Sequence, residues 1–145
     1  MTKFDEEVKT ALIKLGLWNE SLINEDDELW CFMRGERLYM YLRKDNGKEM
    51  DSLCLLSDTI KFPDDVIPKI YFAAADVNNH HTSARVAIHS HLFEGHGEIE
   101  ENFVGLEFHV PRLLISDFQK AIEIGMDQLD TLYEEWNNVL ECQFG

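Results

Sequence analysis

The apolar residues of this 145-residue chain change their spacing four times, and that succession limits the fold more than any single motif does. Phe4, Val8, Ala11, Leu12 and Leu15 recur at three and four residues, which is one face of a helix over 3–17. Glu28–Arg34 is then apolar and aromatic, and Glu36–Lys44 alternates, with Leu38, Met40 and Leu42 on one side and Tyr39 and Tyr41 on the other. Alternation is the period of a strand. A third strand is expected near Glu49–Leu56. Val66, Ile67, Ile70, Tyr71, Ala74 and Val77 return to the helical period. Val86, Ile88 and Leu92 share a face of a fourth strand over Ala84–Leu92, and Val104, Leu106, Phe108 and Val110 share a face of a fifth over Phe103–Val110. Phe118, Ile122, Gly125, Leu129, Leu132, Trp136 and Val139 close the series with a long helical stripe, which reads as a core or partner-facing seam.

The residues between these segments are the ones that start and stop elements. Thr2-x-x-Asp5 resembles a capping box, and Gly16 is a plausible stop. Asn19–Asp27 is a polar, acidic connection. Gly35 suggests a tight turn, and Asn46-Gly47 is a strong short hairpin signal. Pro63 suits the first position of the second helix, with Asp64 and Asp65 complementing the helix dipole, Pro68 tolerated in the first turns and Asn78-Asn79 at its end. Phe93–Asn102 carries Gly95, Gly97 and four glutamates and reads as an exposed loop. Ser116 with Gln119 makes a second capping box. The order is α-β-β-β-α-β-β-α over one domain, 1–145. That is an α+β fold with a mostly antiparallel sheet and helices packed on one face.

Charge narrows the partners. The chain has 28 acids against 13 bases, a net charge of −15. Nucleic acid is bound by displacing counterions with Lys and Arg, and anionic membrane attracts basic segments, so neither is expected as a partner. The excess is local: residues 93–145 carry 12 acids and 2 bases. Such a surface would steer a basic protein. Cys31, Cys54 and Cys142 are odd in number and form no CxxC, Met1–Glu7 lacks a secretion signal, and no apolar run approaches the ~18 residues of a membrane span. A cytoplasmic location is expected.

Catalytic patterns are sparse. There is no Gly-rich phosphate loop and no GxSxG turn. Alternation turns Ser90 away from His89 and His91, and an apolar neighbourhood leaves Cys54 inert. All six histidines fall between positions 80 and 109. His89 and His91 share a face of the fourth strand, and Glu107 and His109 share the outward face of the fifth. If those strands pair as a hairpin, the four side chains form a candidate site for zinc or another transition metal.

Three stretches resemble the type III secretion chaperone-like fold, and within it the YbjN-like group. They are Phe62-Pro63-Asp64-Asp65-Val66 opening the second helix, Ala74-Ala75-Asp76-Val77-Asn78-Asn79 closing it, and the strand pair before the long helix from Ser116. The resemblance implies a compact α+β unit, often a homodimer, that holds a protein segment without catalysis and supplies no cofactor or catalytic residue. The expectation is therefore a non-catalytic protein- or peptide-binding module, dimeric, with a contact surface at Tyr39, Tyr41 and Trp136. The alternative is a metal-binding protein or metal-dependent hydrolase using His89, His91, Glu107 and His109.

Overall fold

In a computed structural model, residues 1–45, 47–80, 83–89 and 102–144 are described. Helix α1 (Lys3–Lys14) begins at a complete capping box. The Asp5 backbone N–H donates to the Thr2 hydroxyl, and the Thr2 backbone N–H donates to the Asp5 carboxylate. Gly16 follows at φ 73, the left-handed conformation a helix stop favours. Strands β1 (Leu29–Arg34) and β2 (Arg37–Leu42) form a hairpin over Gly35-Glu36. Among the described residues the tiny strands β3 (Lys44–Asp45) and β4 (Lys48–Glu49) pair only with each other. The hairpin expected there thus forms, yet as a separate two-stranded flap before the long strand β5 (Ser52–Phe62).

Helix α2 (Ile67–Asn78) starts later than Pro63, after a 3-10 turn at Asp64–Val66. Pro68 therefore occupies the first turn, where its missing N–H has no helical partner to lose. Strands β6 (Ala84–His89) and β7 (Asn102–Pro111) complete a five-stranded antiparallel sheet in the order β1-β2-β5-β7-β6. The loop expected over Phe93–Asn102, like Ser90, His91 and Leu92, falls outside the described residues except for Asn102. Helix α3 (Phe118–Phe144) starts two residues past Ser116, and its cap is Asp117, whose carboxylate accepts the Lys120 backbone N–H at 3.3 Å.

The α+β expectation holds, with the three helices on one face of the sheet. α3 lies across β5, β6 and β7 and is flanked by α1 and α2. Cross-strand rows such as Trp30-Tyr41-Leu55-Phe108-Ala84 point under the helices and are buried. Gly125 marks the closest approach. A Cβ there would lie 2.7 Å from Phe108 Cδ1 and 2.8 Å from Leu55 Cδ1, both in fully packed side chains. Gly125→Ala gains up to about 1 kcal/mol of helix propensity. Overpacking costs about 1–3 kcal/mol, so net destabilisation is expected in urea titration, and a stabilised variant would refute the close packing.

Candidate interaction surface

Which side of β2 faces the helices decides where a partner can bind. Tyr39 and Tyr41, expected on the open face, lie in the core and are fully buried. The reason is their hydroxyls. Tyr41 donates to Asp5 of α1 at 2.7 Å, and Tyr39 donates to Asp130 of α3. Burial and then the hydrogen bond to the Asp130 carboxylate push the Tyr39 phenol up to about 12, and burial followed by Asp5 acts on Tyr41 in the same direction. Trp136 of α3 is buried as well. None of the three expected contact residues offers a side chain to a partner, and α3 lies on the opposite side of the sheet from the open face.

Two polar clusters fix this inversion. Asp5 and Arg43 are both buried, with Arg43 Nη2 3.2 Å from Asp5 Oδ2. The Arg43 guanidinium also donates to the Asp27 carbonyl at 2.7 Å and to the Glu25 carbonyl, and lies over the Trp30 ring. Burial alone would raise the Asp5 carboxyl; hydrogen bonds from Tyr41, the Thr2 backbone and Arg43, with the Arg43 charge, outweigh it and hold the group below its ordinary value. At the other end of the hairpin Arg34 and Arg37 stand opposite each other, a repulsive pair unless bridged. Asp130 bridges them, at 2.6 Å from Arg34 Nη2 and 3.1 Å from Arg37 Nε, while Asp127 takes Arg34 Nη1 at 2.9 Å. Two acids of α3 thus tie the helix to the sheet.

The helix-free face carries Leu29, Cys31 and Met33 from β1, Leu38, Met40 and Leu42 from β2, and Leu56 from β5. Met33 and Leu38 pair directly across the hairpin and are each 43% exposed. The twelve residues of β1 and β2 contain no acid, in a chain where about one residue in five is acidic. Sequence alternation identifies this row but not its side, since both sets of β2 residues are apolar or aromatic.

Of the four metal-site residues, Glu107 and His109 meet, and His89 stands apart from them. β6 and β7 do pair antiparallel, but His89 lies opposite Phe103 and Glu107 lies opposite Arg85. That places His89 four positions along the ladder from Glu107, about 13 Å at the usual strand rise. His91 lies outside the described residues. Among the described residues no group of three or more His, Cys, Asp or Glu side chains is arranged to hold a metal ion. Instead His109 meets β5: its Nε2 is 3.3 Å from Glu107 Oε2 and 3.6 Å from Cys54 Sγ, with Arg85 Nε 3.7 Å from Glu107. Sequence spacing carries no sign of this contact, which depends on the β5–β7 register placing Cys54 opposite His109. Cys54 is fully buried, and burial, then the Glu107 charge, pushes its thiol up. A nucleophilic cysteine needs the reverse shift, so this arrangement holds an inert thiol.

No protein-family profile matches the chain, and no curated protein does. Among solved structures the fold is similar to the crystal structure of YbjN from E. coli, a protein put forward as a transcription regulator. The TM-score is 0.63 at 7% sequence identity, covering 97% of this chain and 90% of that one. The likeness is one of fold. Among the described residues no helix is long and apolar enough to cross a membrane.

Proposed function

We propose that this chain is a non-catalytic protein- or peptide-binding module, regulatory or chaperone-like, that docks an apolar partner segment on the helix-free face of β1 and β2. The observation that carries this reading is the acid-free row Leu29, Cys31, Met33, Leu38, Met40 and Leu42, on the side of the sheet away from the helices of the described residues. A half-exposed apolar row in so acidic a chain is a surface kept for contact. The exposed acids of α3, Glu123, Glu134 and Glu141, lie across the sheet from it and act at a distance, favouring approach of a basic partner. Three free cysteines suit a reducing, cytoplasmic setting.

Affinity capture from native extract tests the docking face. Proteins retained by the wild type are expected to fall at least about tenfold with Leu38→Glu/Met40→Glu, since charges placed in an apolar contact cost several kcal/mol. Equal capture by both proteins, with the variant shown folded by circular dichroism, would overturn the assignment. Retention on a basic partner should also weaken with salt.

A further inference from the structure

Helix α2 has two apolar faces, and the core uses one of them. Ile70, Ala73, Ala74 and Val77 are buried, where the helix packs on α3 and β6. Pro68, Tyr71, Phe72 and Ala75 recur at three and four residues on the opposite side, and all four are exposed. Tyr71, which shares the core stripe by sequence spacing, is 58% exposed, and Phe72 is 77% exposed. The ridge sits on a fixed support. At the end of the helix the Asn78 side chain accepts the Val86 backbone N–H at 2.7 Å and donates to the Val86 carbonyl at 2.9 Å. The amide takes the place of a neighbouring strand at the β6 edge and ties α2 to the sheet. Large aromatics held out on a rigid element are the residue type that anchors protein interfaces.

We infer that this ridge docks a basic amphipathic helix of a partner protein, with its apolar side chains on Tyr71 and Phe72 and its Lys or Arg side chains at Asp65 and Asp76. Charge selects this occupant. Exposed Asp65 precedes the ridge and exposed Asp76 follows it, about 16 Å apart at the usual helical rise. The only base of α2, Lys69, is drawn towards α3, its ammonium 5.5 Å from the centroid of the Phe144 ring. α3 packs beside α2, has no base after Lys120, and adds exposed Glu134 and Glu141. Lys or Arg a turn beyond each end of an apolar stripe would therefore meet acids at both ends. A second copy of this chain, at net −15, would bring acids to acids, and like charges across an interface repel. The ridge lies on the helix side of the sheet, away from the row on β1 and β2. The proposal thus goes beyond the docking reading and stands independently of it.

A labelled helical peptide of about 15 residues tests the surface, with Leu at three-and-four spacing and Lys one turn beyond the Leu stripe at each end. Fluorescence anisotropy at low salt is expected to give a Kd of about 10–100 µM, since one helix covers a small area. Tyr71→Ala/Phe72→Ala should weaken binding at least about tenfold, because aromatic anchors carry most of an interface's energy. Asp65→Lys/Asp76→Lys should weaken it at least about fivefold, and the wild-type affinity should fall as salt rises. All four positions are exposed, so circular dichroism should show both variants folded. Phe72→Ala alone, at the more exposed aromatic, keeps the test if the double variant fails to fold. No binding at about 1 mM peptide, equal binding of a peptide with Glu for Lys, or binding that either double variant leaves unchanged overturns the inference. So does a dimer in light scattering that Tyr71→Ala/Phe72→Ala dissolves, which would give the ridge to a second copy.

Discussion

Asp5→Ala is expected to cost about 3–5 kcal/mol of folding stability, because it leaves Arg43 charged and buried without its counter-ion. The loss is larger than a surface pair would give. Asp5 accepts from the Tyr41 hydroxyl and the Thr2 backbone as well as from Arg43, so one truncation strips four donors across α1 and β2 at once. Urea unfolding measures it, and a change under about 1 kcal/mol would show the cluster to be solvated. Asp5→Asn separates charge from shape: it keeps an acceptor for Tyr41 and should fall between the two. The pH dependence follows in sign. A carboxyl whose folded pKa lies below its unfolded value of 3.8 contributes stability that is complete above that value and is lost as pH falls through the folded one. The wild type should therefore lose stability below about pH 4 more steeply than Asp5→Asn.

Trp136→Ala is expected to destabilise by about 3–5 kcal/mol, the range for removing a large aromatic from a packed core. Were Trp136 a contact residue, truncation would leave stability within about 0.5 kcal/mol and weaken binding alone. Measured together, urea midpoint and partner capture distinguish the two. Capture should fall only in proportion to the unfolded fraction, and Trp136→Phe, which keeps most of the volume, should restore both.

Local signals were legible and long-range ones were not. Thr2 and Asp5 sit three residues apart, so their capping box is written in a single helical turn and the structure contains it. The helical stripe through Ile122, Leu129, Leu132 and Trp136 likewise faces the core. The side of β2 is different. Period two divides Leu38, Met40 and Leu42 from Tyr39 and Tyr41 without ranking them, and the choice rests on hydroxyl partners at Asp5 and Asp130, far away in sequence. The His/Glu cluster, of which His91 lies outside the described residues, depends on long-range information too. Strand pairing was foreseeable from the alternation, but register was not, and register moves His89 away from Glu107 while bringing Cys54 to His109. The Asn78-Asn79 stretch shows a signal read at the wrong level. It marks a helix end, and its amide also finishes a sheet edge.

The place of α3 in the chain sets the order in which the molecule can form. Every strand it covers is made before it, and the pairing of Leu55 with Phe108 already closes a long loop. At about 5–20 residues per second, synthesis of its 27 residues takes roughly one to five seconds. Through that interval α1 can reach only the Trp30 and Tyr41 end of the row, and Leu55 and Phe108 wait for the helix that packs on them, so a half-made chain presents the ribosome's surroundings with a partly uncovered apolar sheet. Productive folding is then a late event, gated by the arrival of Gly125 and its neighbours, and the nascent chain is most in need of a holding chaperone just before its own helix can serve as one.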